Sequence, residues 1–198
     1  MVIVKVVFTV VVSQPLAKTA YDVLISDAQL SDAAAIALIG ANTFTETFGF
    51  SVPASDLADF LATTYSAEAI EAEIVNAQKT NTSTFVARDD DAGAVLGFVQ
   101  MVRGLTDPCL PGATSAHAEL RRLYVSTAAH GRGIGSKLVA AVESKAKAEG
   151  FKTLWLTVWE ENTSAQRLYQ RLGYAKVGAT EFATGGCIQT DFVFAKSL

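Results

Sequence analysis

Glu119-Leu120-Arg121-Arg122-Leu123-Tyr124-Val125, running on into His130-Gly131-Arg132-Gly133-Ile134-Gly135-Ser136, is the stretch on which the fold turns. Apolar and polar residues alternate imperfectly in the first half, as in a strand buried on much of both faces. After the glycines, Ile134, Leu138, Val142 and Ala146 recur every four positions, which predicts a helix running to about Glu149 and stopped by Gly150. Glycines without Cβ let main-chain N–H groups turn toward a ligand. A helix N-terminus adds partial positive charge, each first-turn contact with an anion being worth about 0.3–1 kcal/mol. Strand, glycine turn and helix in this order form a cradle for a diphosphate. The dinucleotide-binding pattern fails because Ser136 stands in place of the third glycine, and the Walker pattern fails because Ser136 separates Gly135 from Lys137. A glycine-rich connection without a ligand is the alternative this stretch alone leaves open.

Working outward, Thr153 to Trp159 reads as a strand. Asn162 caps a helix that carries Ala165, Leu168, Tyr169 and Leu172 on one face and ends at Gly173. Strands near Tyr174 to Val177 and Cys187 to Phe194 close the sheet. Upstream, the pattern predicts a strand at Tyr21 to Ile25, an Ala-rich helix from a Ser31 cap to about Ile39, and helices at Ser55 to Thr63 and Ser66 to Gln78. Strands at Thr84 to Ala87 and Ala94 to Val102 flank a turn at Asp89 to Gly93. Helices first, then a hairpin, then alternating strands and helices imply an α+β fold with a mixed sheet, not a doubly wound one.

The chain has 198 residues, of which 50% are hydrophobic and 18% charged. A chain of this size buries about 70% of its unfolded surface and needs no metal or disulfide staple. The composition excludes disordered and collagen-like classes and fits one domain over residues 21–198 with an extension at 1–20. Sixteen Lys and Arg against 20 Asp and Glu give a net charge of −4, which offers no basic field to nucleic acid or an anionic membrane. Cys109 and Cys187 lack neighbours at metal-ligand spacing, so no metal is expected, and two free thiols in a reducing cytoplasm are the simplest reading. The apolar Met1 to Val12 is interrupted by Lys5 and is shorter than the ~20 residues a spanning helix requires. Its β-branched valines favour a strand over a signal sequence. A homodimer is compatible with the sequence.

The strand, the glycine turn and Asn162-Thr163-Ser164-Ala165-Gln166-Arg167-Leu168-Tyr169-Gln170-Arg171-Leu172-Gly173-Tyr174 together resemble the GCN5-related N-acetyltransferase (GNAT) superfamily. Its signature Gln/Arg-x-x-Gly-x-Gly/Ala is matched at Gly133 and Gly135, with His130 in place of the usual Gln or Arg. A second signature, Asn-x-x-Ala-x-x-x-Tyr with a Gly-aromatic pair after it, is matched at Asn162, Ala165, Tyr169 and Gly173-Tyr174. Thr43-Phe44-Thr45-Glu46-Thr47-Phe48-Gly49, Asp56-Leu57, Tyr65 and the Glu119 to Val125 strand look like the PaiA-type branch, whose members acetylate polyamines.

The resemblance implies a mostly antiparallel sheet of six to seven strands with helices on both faces and a splay between the fourth and fifth core strands. Acetyl-CoA would lie in that splay as co-substrate, paired to the main chain at Leu123, Tyr124 and Val125. Its pyrophosphate would rest on His130, Gly131, Arg132, Gly133, Ile134, Gly135 and Ser136. Asn162 and Ala165 would flank the cofactor's amide chain. The implied activity is direct acetyl transfer to a primary amine of a small molecule, possible polyamines included. A peptide or protein N-terminal acetyltransferase and a non-catalytic acyl-CoA-binding protein are the alternatives.

Acetyl transfer needs a neutral amine, yet an alkylamine of pKa ~10.4 is neutral in only about one molecule in 2,500 at pH 7, a deficit of roughly 4.6 kcal/mol. Glu119, early on its strand, is the candidate base, with His117 as alternative and a surface ion pair with Arg121 as the structural reading. Tyr169 is implied as the acid that protonates the leaving thiolate, although its spacing alone makes it a core residue. Trp155 and Trp159 are expected on one strand face, as packing or cleft walls. The loop around Phe44 to Ser55 and a turn at Glu181 to Gly186 would flank the acceptor, where Glu46, Asp56 and Glu181 could attract a cation.

Overall fold

The computed structural model describes residues 23–89, 93–112, 114–184 and 187–198. The expected N-terminal strand within residues 1–20, the first two residues of the strand expected at Tyr21 to Ile25, and parts of the turns expected at Asp89 to Gly93 and Glu181 to Gly186 lie outside them. In chain order the elements are β1 (Val23–Asp27), α1 (Ala33–Phe48), α2 (Ala54–Thr64), α3 (Ala67–Val75), β2 (Thr82–Asp89), β3 (Val95–Arg103), β4 (His117–Val125), α4 (Ile134–Ala148), β5 (Thr153–Trp159), α5 (Thr163–Arg171), β6 (Ala175–Thr184) and β7 (Cys187–Ser197). One seven-stranded sheet has the order β1-β2-β3-β4-β5-β7-β6. Its neighbours are antiparallel except β4 and β5, which run parallel and pair only at His117, Ala118 and Glu119 against Thr153, Leu154 and Trp155. From Leu120 onward β4 has no partner on that side, so the two strands part. This is the expected mixed sheet with its splay.

Helices cover both faces. The apolar stripe of α4 (Ile134, Leu138, Val142, Ala146) and the inner face of α5 (Ala165, Leu168, Tyr169) pack with Leu120, Leu123, Val125, Leu154, Leu156 and Val158. On the opposite face, α1 and α3 bring Ile36, Phe44, Phe48 and Ile70 against Val86, Phe98, Tyr124 and Trp159. No helix among the described residues is long and apolar enough to cross a membrane.

Several element ends depart from the sequence reading, the largest shifts being at the ends of α1 and β6. The helix expected to stop near Ile39 continues to Phe48 through Gly, Asn and Thr residues that are weak helix formers. Burial of Phe44 and Phe48, both 1% exposed, outweighs that preference. The start also differs, because Asp32 rather than Ser31 stands at the cap, accepting from the Gln29 N–H at 2.7 Å and pairing with Arg88 at 2.5 Å. The strand expected to end at Val177 runs on to Thr184, past a register shift at Lys176/Gly178. Gly178 permits this course beside Cys109, whose Sγ lies 2.2 Å from where a Cβ would stand.

β4 carries an irregularity that the alternation did not reveal. Arg122 has φ 54°, and the pairing with β3 slips between Phe98↔Tyr124 and Gln100↔Arg121. The extra residue of this bulge turns the side chains of Arg121 and Arg122 to the same side of the sheet.

Candidate active site

The glycine turn sits where the sequence placed it. After β4, a short 3-10 turn at Thr127–Ala129 leads to Gly131 (φ 77°) and Gly133 (φ 73°), both left-handed and both with open space where a Cβ would stand. Lys137 N–H makes the first bond to the Gly133 carbonyl at 3.2 Å, so the amides of Ile134, Gly135 and Ser136 precede the helical ladder and remain available to a ligand. The first turn of α4 holds no acidic residue, which leaves its positive end uncompensated for an anion.

Arg132 turns aside to Asp89 at 3.4 Å. The Nε2 of His130 lies 3.0 Å from the Val125 carbonyl, which can only accept. Nε2 therefore bears the proton, and a neutral His130 spends its one N–H on its own strand. The side chains of Leu123, Tyr124 and Val125 are buried, Leu123 and Val125 toward α4 and Tyr124 toward α1. Only their main chain along the unpaired edge can meet a ligand.

Across the opening, Asn162 Oδ1 caps α5 by accepting from Ala165 N–H at 3.1 Å, while its buried Nδ2 has no partner among the described residues. The Tyr169 hydroxyl is likewise buried and unpartnered. Burial alone pushes its pKa well above the ordinary phenol value, so it is a proton donor and not an anion. Two orphaned polar atoms beside an unpaired strand edge fit a ligand with acceptor groups along its length.

Glu119 is 2% exposed at the point where β4 and β5 separate. Arg121 Nη2 donates to its Oε2 at 2.6 Å. Burial raises the Glu119 pKa, with Arg121 and Arg122 opposing the shift, so the carboxylate holds a proton more readily than an exposed glutamate. His117 has both nitrogens engaged, Nδ1 with Thr106 Oγ1 at 2.8 Å and Nε2 with the Pro111 carbonyl at 2.9 Å. It pins the loop at Thr106 and Pro111 and has no lone pair to spare for an acceptor. Trp155 Nε1 donates to the Leu105 carbonyl at 3.2 Å, and Trp159 packs 5.5 Å from Phe48 and 5.9 Å from Phe50.

The acceptor segment expected as a loop from Phe44 to Ser55 is helical at both ends, because Phe44 and Phe48 are core residues of α1 and Ser55 already belongs to α2. Its middle meets β7 through Gln189 Nε2 donating to Ser51 Oγ at 2.9 Å. Glu181 is a strand residue of β6 paired with Thr190, not part of a turn. Glu46, Asp56 and Glu181 thus lie on three separate elements.

Sequence reasoning missed a cavity of about 340 Å³ beside Glu119, lined by Thr64, Glu73, Thr82, Gln100, Arg121 and Arg122 among others. The signal was present as two consecutive arginines inside a buried strand, a pattern that period-two alternation cannot place without a bulge. Arg122 Nη1 donates to both Glu73 oxygens at 2.8 and 2.7 Å, and Gln100 Nε2 joins the same carboxylate at 2.9 Å.

Comparison with known proteins places this geometry. The model of the acetyltransferase (GNAT) family matches residues 47–174. An uncharacterized N-acetyltransferase of Lactobacillus delbrueckii subsp. lactis is 30% identical over 160 residues, 81% of this chain and 88% of the relative. Among solved structures, the PaiA N-acetyltransferase of Thermoplasma acidophilum in complex with coenzyme A superposes with a TM-score of 0.70 at 20% identity, over 89% of this chain and 99% of that one. A phosphinothricin acetyltransferase of Sinorhizobium meliloti in complex with acetyl-CoA gives a TM-score of 0.66 at 19% identity, over 89% and 88% of the two chains. These two likenesses carry the fold.

Proposed function

The chain belongs to the acetyltransferase (GNAT) family, and from that premise we propose that it transfers an acetyl group from acetyl-CoA directly to the primary amine of a small molecule. The observation that carries this reading is the unpaired β4–β5 opening, with the glycine turn at one end and buried Glu119 at the other. Acetyl-CoA supplies the activated acyl group as a thioester. The amides of Ile134, Gly135 and Ser136 bind its diphosphate, and the unpaired edge of β4 near Leu123 and Val125 together with Asn162 Nδ2 aligns the amide chain.

Glu119 takes the proton that makes the amine nucleophilic, directly or through water, using Oε1 while Arg121 holds Oε2. Tyr169 donates its phenolic proton to the leaving thiolate. Its orphaned hydroxyl costs about 1–3 kcal/mol in the free protein, the mark of a group kept for a ligand. His130 supports the strand end and donates to a phosphate only when protonated. We place the enzyme in the cytoplasm, where the exposed Cys109 stays a thiol.

Release of CoA from acetyl-CoA across a panel of small amines, spermidine and peptide N-termini tests the reading. Turnover with small amines is expected. Preference for peptides would move the acceptor to a protein N-terminus, and calorimetric binding of acetyl-CoA without CoA release on any amine would leave a binding protein.

A further inference from the structure

We infer that the cavity beside Glu119 seats a carboxylate of the acceptor, so that the substrate is a small amino acid rather than a polyamine; this deepens the reading above and rests on it. The bulge at Arg122 directs two consecutive guanidinium groups into one wall of the cavity. Their side chains are 16% and 7% exposed. Arg121 spends Nη2 on Glu119, and Arg122 spends Nη1 on Glu73. The Nε of each is buried with no partner, and Arg121 Nη1 and Arg122 Nη2 make no hydrogen bond either among the described residues. Guanidinium groups that line a cavity with donors left over signal a missing acceptor. Arg in particular presents a planar fork matched to carboxylate geometry. The surrounding Thr64, Thr82 and Gln100 supply neutral polar groups, and the volume of about 340 Å³ suits a small molecule.

Charge gives the argument its direction. Arg121 and Arg122 face Glu73 in the lining and Glu119 beside it, a neutral set while both carboxylates are ionised. When Glu119 receives the amine's proton, one positive charge is left over in a buried place. A substrate carboxylate cancels it. The second ammonium of a polyamine would instead meet two guanidinium groups with no carboxylate free of them.

Matched acceptors test this: glycine, β-alanine, 4-aminobutyrate and L-alanine against their carboxamides, with spermidine as the dication. In the wild-type protein kcat/KM for the best acid should exceed that of its amide by at least about tenfold, through KM, as expected for one charge-assisted contact. Arg121→Gln should bring the ratio close to one, and Arg121→Lys should keep part of it. Because acid and amide are compared within each variant, a general fall in kcat through Glu119 leaves the ratio readable. Equal use of acid and amide, or spermidine as the best acceptor, overturns the inference. If no amine is turned over, the proposed activity fails, and calorimetry on the CoA-loaded protein decides the cavity separately. Binding of the acid but not the amide upholds it, and absence of acid binding overturns it. Should Arg121→Gln not fold, the wild-type acid-to-amide ratio stands as the deciding measurement.

Discussion

Arg121 holds one oxygen of Glu119 at 2.6 Å in a site so enclosed that burial still raises the glutamate's pKa above its ordinary value. Enclosure favours the protonated form, so the base form is lost at a higher pH than for an exposed glutamate. The acid limb of kcat/KM should therefore lie above pH 4.5, with activity falling as pH decreases through it. A pH–rate profile of the free enzyme checks this, and Glu119→Gln should lower turnover by about 10²–10⁴-fold and abolish that limb.

Tyr169 yields a prediction in which stability and activity move oppositely. Removing a buried hydroxyl with no partner relieves about 1–3 kcal/mol of unmet hydrogen bonding. Tyr169→Phe should thus melt at or above the wild-type temperature in the ligand-free protein, while kcat falls by about tenfold or more and acetyl-CoA affinity changes little. Calorimetry and steady-state kinetics on the same preparation suffice, and unchanged kcat would remove Tyr169 from the chemistry.

Gly133 has room for a side chain but the wrong backbone for one. Its φ of 73° makes Gly133→Ala cost about 1–2 kcal/mol, and a Cβ there would take up open space at the start of α4 where the diphosphate is proposed to sit. Titration should show weaker CoA binding, with a larger loss for Gly133→Val.

Gly40 is the reverse case, a helical position with no room. A Cβ would come within 2.4 Å of the Tyr65 ring, which is 4% exposed and donates from its hydroxyl to that of Tyr124 at 2.9 Å. Gly40→Ala should destabilise by about 1–3 kcal/mol in denaturant titrations, because a rigid buried ring cannot step aside as a flexible chain end could.

How far the sequence could be read follows from where its signals were local. Asn162 and Gly173 bracketed α5 because a cap and a left-handed stop act within one turn, and β5 was read to its true ends at Thr153 and Trp159. The end of α1 was not legible, since Phe44 and Phe48 are held by contacts with Phe60, Tyr65 and Trp159 distant in sequence. The pairing of Glu73 with Arg122 was hidden for the same reason, although the arginine doublet itself was in view. His130 stands where the signature carries Gln or Arg, and its bond from Nε2 to the Val125 carbonyl is a contact that no sequence pattern announced.

The left-handed residue in β4 also bears on how this chain can vary in length. Ahead of it Arg121 lines the cavity while Leu120 faces α4, and beyond it Leu123 and Val125 face α4 while Tyr124 faces α1. Because Arg122 is the surplus residue of the bulge, deleting it would let the strand alternate regularly with each of these side chains still on its own side. The core would tolerate that loss, and what would go is the second guanidinium of the cavity wall with its grip on Glu73.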